Sequence, residues 1–382
     1  MLEGCTKIFA LGLLLGTVLT LLFKKFFFKP QEPVNSISED ELSSGSESEE
    51  LISEDSDMQI EIVDETIEAR KNPVIVIALG GNALLQKGDK GTIEDQRKNA
   101  KVACKQIVKL VQKGFSVHVV HGNGPQAGAV FLQNVNSKET IPSNPLDVVV
   151  SETQGLIGYI IQQELQNELD KQGIKKHVAT IITRMEVSAE DPAFKTPTKP
   201  IGKFYTEEEA KELEKDGYCM KEDAGRGWRI TTFSPQPLRI LERPVIESLI
   251  KDGNVITISC GGGGIPVVDK DGEIQGVEGV IDKDRAGCLL ATQVNADIFM
   301  ILTDVEQCYL DWGKETKRPL YSMTVEEAEQ YLEEGHFAVG SMYPKVQSAS
   351  RFTKKTKRTA IITSLDKALE AIDGNTGTRM LN

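Results

Sequence analysis

Cysteine and histidine are scarce in this chain, six and four among 382 residues. The cysteines (Cys5, Cys104, Cys219, Cys260, Cys288 and Cys308) form no C-x-x-C pair and share no zinc-ligand spacing with histidine. A Cys/His metal centre is not expected, no metal ligand is assigned, and the thiols read as reduced groups of a cytosol-like compartment. The Walker A pattern G-x-x-x-x-G-K-[ST] is missing, and Gly122-Asn123-Gly124-Pro125-Gln126-Ala127-Gly128 does not keep dinucleotide spacing. P-loop and Rossmann chemistry both lose ground. Positive charge is lacking too. The formal charge is −13, and residues 31–69 hold 14 acidic side chains with no Lys or Arg. Residues 1–30 stand at +3, which leaves the remainder from Arg70 onward at −2. A body so near neutral lacks the basic face that a nucleic-acid groove requires, so no nucleic-acid partner is expected.

What is present first is an apolar run of sixteen uncharged residues, Ile8–Phe23, flanked by Lys7 and by Lys24-Lys25. It is short of the ~20 residues that cross a bilayer comfortably, but snorkelling lysines and Phe26–Phe28 extend it. Lys and Phe stand where a cleavage site would need small residues, so residues 1–30 read as an uncleaved membrane-anchor helix. The lysines after the run outnumber the one before it, which places the body in the cytosol. An organelle outer membrane fits that anchor, and processing to an organelle or cytoplasmic form is the alternative. Residues 31–70 read as a disordered acidic linker, because a Ser/Glu/Asp-rich stretch without aromatics cannot offset chain entropy.

From residue 71 to 382 the pattern changes. Val74–Leu79 is a β-branched run ending in Gly80-Gly81-Asn82, as a buried parallel strand should end. Helical spacing over Ile93–Gln112, a strand at Ser116–His121, a long helix over Pro145–Gln172 and a strand at Val178–Ile182 follow. Residues 184–235 break the rhythm with Pro192, Pro197, Pro200 and Pro235 and read as a small protruding lobe. Alternation then resumes, with a helix from Lys283, a strand at Ile298–Leu302, a capping box at Thr324 and Glu327, and a last strand at Thr359–Thr363. The expectation is an α/β fold: an open three-layer αβα sandwich around a mainly parallel sheet.

Three strand-ending glycine loops carry the chemistry: Gly80-Gly81-Asn82-Ala83, His121–Gln126 and Cys260-Gly261-Gly262-Gly263-Gly264. Glycines at carboxyl strand ends let backbone N–H groups approach an anion, and the helix that follows adds a positive partial charge. With Asp191-Pro192-Ala193-Phe194, Pro197-Thr198-Lys199-Pro200-Ile201-Gly202, Gly225-Arg226-Gly227-Trp228, Val280-Ile281-Asp282-Lys283-Asp284 and Gly340-Ser341-Met342-Tyr343-Pro344-Lys345-Val346, these loops resemble carbamate kinase, of the amino-acid kinase superfamily. The resemblance runs from about Pro73 to the C-terminus.

It implies reversible phosphoryl transfer, ATP + carbamate = ADP + carbamoyl phosphate, used for ATP synthesis in arginine breakdown. ATP/ADP would be substrates, with Mg²⁺ held mostly by phosphate oxygens and water, and the protein would be a homodimer. Lys283 and Lys345 match the family's phosphate-binding lysines, with Asp284 orienting them. Lys199 would reach the site from the lobe as part of a lid; many amino-acid kinases instead place a lysine where Ala78 stands. Gly80, Gly81, Asn82, Gly122, Asn123, Gly124, Gly262 and Gly263 would hold carbamate and the moving phosphoryl group. Thr303, Asp304, Val305, Met342, Pro344 and Val346 would border the nucleotide. Tyr343 departs from the family, which usually has glycine there, and puts the geometry at Lys345 in question.

Overall fold

The computed structural model describes residues 72–81, 84–86, 88–223 and 227–382. The expected anchor and acidic linker, and Asn82, lie outside the described residues. Among those described, no helix is long and apolar enough to cross a membrane.

The strands in chain order are β1 (Val74–Leu79), β2 (Ser116–His121), β3 (His177–Thr180), β4 (Arg184–Glu186), β5 (Lys199–Tyr205), β6 (Met220–Glu222), β7 (Trp228–Thr232), β8 (Arg239–Ile240), β9 (Val255–Ile258), β10 (Ile265–Lys270), β11 (Glu273–Gly276), β12 (Ile298–Thr303), β13 (Cys308–Leu310), β14 (Arg318–Leu320), β15 (Ser322–Thr324), β16 (Thr359–Ser364) and β17 (Thr378–Leu381). The helices are α1 (Ile93–Gln112), α2 (Gly124–Ser137), α3 (Leu146–Lys171), α4 (Glu207–Lys215), α5 (Arg243–Asp252), α6 (Lys283–Gln293), α7 (Val325–Glu333), α8 (Met342–Thr356) and α9 (Ala368–Ile372).

Eight strands form the main sheet in the order β15-β17-β16-β12-β1-β2-β9-β3. Its pairings are parallel except that of β16 with β17. Alternation along the central strands sends side chains to two separate cores. Val76 and Ala78 of β1, with Phe299 and Ile301 of β12, face α6 and α8. Ile75, Ile77 and Leu79, with Met300 and Leu302, face α1 and α3. Both faces are covered, which is why these strands are apolar throughout. The predicted capping box is formed: Glu327 N–H donates to Thr324 Oγ1 at 3.1 Å and Thr324 N–H to Glu327 Oε2 at 2.8 Å.

The stretch 184–235 divides between two sheets. β4 lies in a four-stranded sheet ordered β11-β10-β4-β8, while β5-β7-β6 form a three-stranded sheet that with α4 makes a lobe. The lobe is seated on α2 by a backbone contact: a Cβ on Gly128 would come within 2.0 Å of Gly202 Cα. Gly202 has φ +75°, a conformation that favours glycine, and its carbonyl accepts from Arg229 at 3.0 Å.

Candidate active site

β1, β2 and β9 end in the three glycine loops, all at the carboxyl edge of the main sheet, where open α/β sheets bind ligands. Gly80 N–H donates to Leu302 O at 3.1 Å, tying the first loop to β12. A Cβ on Gly122 would lie 3.0 Å from Lys283 Cδ and 3.9 Å from Gly81 N. The first two loops and the Lys283 stem therefore meet at one point. α2 and α6 begin there, so their N-terminal N–H groups add positive partial charge.

An ionic cluster fills the centre. Lys283 Nζ donates to Asp284 Oδ1 at 3.0 Å and Oδ2 at 3.2 Å. Lys345, in the first turn of α8, donates to Asp284 Oδ2 at 3.0 Å. Lys199, at the start of β5 in the lobe, donates to Asp282 Oδ2. Asp282 Oδ1 accepts Asp284 N–H at 2.9 Å and so caps α6. Asp284 is 1% exposed and Lys345 9%. Among the described residues three ammonium groups meet two carboxylates here, which leaves one positive charge for an anionic guest.

The proton affinities reflect this crowding. Burial pushes Lys283 down, Asp284 resists, and the lysine comes to rest at about 8. Burial works against the charge of Lys345 too, but there Asp284 and Asp282 prevail and its pKa is raised. Burial works to raise Asp284, yet Lys283 and then Lys345 hold it below the usual carboxylate range. Asp282 is lowered in the same way, with Lys199 the first opposing charge and Lys283 the second. Among nearby groups, His121 is pushed down to about 4 by burial and is neutral at pH 7. The buried Cys260 thiol is pushed up to about 12, so it is no thiolate nucleophile.

The structure thus brings together Gly80, Gly81, Gly122, Lys199, Lys283, Asp284 and Lys345. Asn123 Nδ2 is turned to Thr153 Oγ1 at 2.9 Å, and Gly124 opens α2. Gly262 and Gly263 are buried by close packing: a Cβ would fall 2.3 Å from Asn123 Nδ2 in the first case and 2.3 Å from Ile281 O in the second. Thr303 ends β12, its Oγ1 donating to Asp304 Oδ1 at 3.1 Å, and Val305 follows half-buried. Met342 Sδ lies 3.7 Å from Cys308 Sγ, and half-buried Pro344 precedes Lys345 on α8. Val346 is wholly buried among the core residues of the α6/α8 face, so its side chain anchors the turn that carries Lys345 and does not line a groove. Tyr343 packs on that same core and lines a surface groove with Glu329, Leu332 and Arg351, on the α7 side. Asp282 belongs to the site as well. Its motif gives it no role by itself, because its pairing with Lys199 spans 83 positions.

Residues 73–364 match the amino acid kinase family. The carbamate kinase of Pyrococcus horikoshii is 51% identical over 309 residues, covering 80% of this chain and 98% of that protein. The carbamate kinase of Trichomonas vaginalis is 50% identical over 311 residues, covering 80% of this chain and 99% of its own. Among solved structures, carbamate kinase from Giardia lamblia bound to citric acid superposes with a TM-score of 0.78 at 44% identity, over 81% of this chain and 98% of that one. The same enzyme bound to AMP-PNP gives 0.74 at 44% identity, over 81% and 98% of the two chains. The chain belongs to the amino acid kinase family, among its carbamate kinases.

A Cβ on Gly287 of α6 would sit 3.4 Å from Ala78 Cβ, so α6 packs closely over β1 at Ala78. As a donor set for a resident metal, the kinase site does not fit. Asp282 and Asp284 are engaged by lysines and by the α6 N-terminus, and no group of three or more His, Cys, Asp or Glu gathers among the described residues.

Since Lys283 stands at about 8, its charge should set a basic limb in the pH profile. The ammonium is present below that value and is lost as pH rises through it, so kcat/KM should fall above about pH 8. Bound anions favour the charged form, so the limb in kcat should lie higher. Rate profiles at saturating and limiting substrate check this; a kcat/KM flat from pH 7 to 9.5 would contradict it.

Proposed function

We propose that the chain catalyses ATP + carbamate = ADP + carbamoyl phosphate. The observation that carries this is the meeting of the Lys283 stem with Gly122 and Gly81, over a buried carboxylate shared with Lys345. Phosphoryl transfer through a loose transition state is driven by positioning and by cations on the moving oxygens. A carbamate oxygen attacks the γ-phosphorus, the bond to the β,γ-bridging oxygen breaks, and its electron pair leaves on ADP. The attacking group is already an anion, so no proton moves and no general base is needed. Lysines and backbone N–H groups quench the repulsion between two negatively charged reactants. Mg²⁺ enters as part of the nucleotide substrate, coordinated by phosphate oxygens and water. Carbamoyl phosphate is an acyl phosphate and a strong donor, which favours ATP synthesis as the working direction.

The test is ATP formation from ADP and carbamoyl phosphate by the full chain. No ATP above the uncatalysed background would refute the reading, and a panel of carboxylate acceptors distinguishes it from a relative acting on another acid. The body is further proposed to face the cytosol on a membrane held by residues 1–30, and to pair as a homodimer. A protein of residues 71–382 should then stay soluble with unchanged kcat, while the full chain sediments with membranes. Loss of activity on truncation would mean that the N-terminal segment is more than a tether.

A further inference from the structure

We infer that Asp282 is a parking counter-ion for Lys199: it pairs with the lobe's lysine and yields it to the incoming phosphoryl oxygens. The inference rests on the carbamate kinase reading for the identity of the incoming anion. Among the described lysines of the cluster Lys199 alone comes from the lobe, and it bonds to Asp282, whereas Lys283 and Lys345 share Asp284. The two carboxylates thus divide the lysines between a pair carried by α6 and α8 and one carried by the three-stranded sheet. Asp282 is itself immobilised, because its other oxygen caps α6 through Asp284 N–H at 2.9 Å. It therefore stays behind when Lys199 moves. Its charge is not then abandoned, since Lys283 and Lys345 also act on it. A phosphoryl group carries about two negative charges against the carboxylate's one, so it draws the ammonium away. Charge-assisted hydrogen bonds are among the stronger polar contacts, so removing the competing one should be visible in binding.

The test is Asp282→Asn in the full chain. Asparagine caps helices about as well as aspartate, so α6 keeps its start while the counter-charge is lost. KM for carbamoyl phosphate should fall about tenfold, with kcat changing less. A uniform effect of removing a negative charge would also lower KM, so the same change is made in a Lys199→Met background, where the fall should vanish. A reading independent of turnover is the rate at which Lys199 is labelled by an amine-reactive acetylating reagent without ligand, followed by peptide mass spectrometry. Freed from its carboxylate, Lys199 should label several-fold faster in Asp282→Asn. An unchanged labelling rate, a KM that does not fall, or a fall that persists with Lys199→Met overturns the inference. If the unaltered protein makes no ATP but labelling still rises, the parking contact stands and the substrate assignment fails instead.

Discussion

Lys283→Met is expected to lower kcat for ATP formation from ADP and carbamoyl phosphate about a thousandfold, ~4 kcal/mol of transition-state stabilisation. Methionine keeps an unbranched stem, so the packing beside Gly122, 3.0 Å from Lys283 Cδ to a Cβ built there, is largely retained. What is lost is the cation. Asp284 keeps Lys345 as a partner at 3.0 Å, so its charge is not left uncompensated and the fold should persist. A clamp on developing charge acts in the transition state more than in the ground state, so the loss should fall on kcat with little change in KM. Steady-state kinetics with both substrates varied decide this. A kcat within tenfold of the unaltered enzyme would remove Lys283 from the chemistry, and an effect on KM alone would make it a binding residue.

Much of this arrangement was legible in the residues, and the limits have physical causes. The β-branched run Val74–Leu79 ending in two glycines specified a buried strand because parallel sheets are covered on both faces. Thr324 and Glu327 announced a helix start because their reciprocal bonds are local. The family resemblance singled out Lys283, Asp284 and Lys345, and the structure joins them across 61 positions. Asp282 was harder to see. Its cap depends on where α6 begins, and its bond to Lys199 depends on how a separate sheet is seated. Neither is written in local periodicity. Gly262 and Gly263 read as an anion cradle, but the close approach of Asn123 and Ile281 already requires glycine there. Val346 adjoins Lys345 in the motif, yet successive helix positions point about 100° apart, and it turns into the core. The seating of Gly128 on Gly202 brings two backbones together with no side-chain signature at all.

Asp284→Asn should be the most damaging substitution to fold and activity together. The carboxylate is 1% exposed and accepts from two ammonium groups. Asparagine keeps the shape and removes the charge, which leaves Lys283 and Lys345 buried with Asp282 and its own partner Lys199. Removing one member of a buried ion pair costs about 3–5 kcal/mol. Lys283 offers a way to lessen that cost. Its proton is already held loosely, at about 8, and without Asp284 it should be shed at still lower pH. The phosphoryl clamp then disappears at neutral pH, so kcat should drop about as far as in Lys283→Met.

The pH dependence of stability follows from linkage. In the unfolded chain Lys283 keeps its proton up to about 10.4. In the native unaltered protein it also keeps it below about 8, so this group contributes no slope there. In Asp284→Asn the native state binds fewer protons than the unfolded state even below that value, so its stability rises with pH over that window. Conversely, the gap between the two proteins should widen as pH falls from 9 to 6. Urea unfolding at both pH values measures that gap. A gap that is constant or that narrows toward acid would show that the carboxylate does not govern the Lys283 proton, and with it the account of how this site keeps its cations charged.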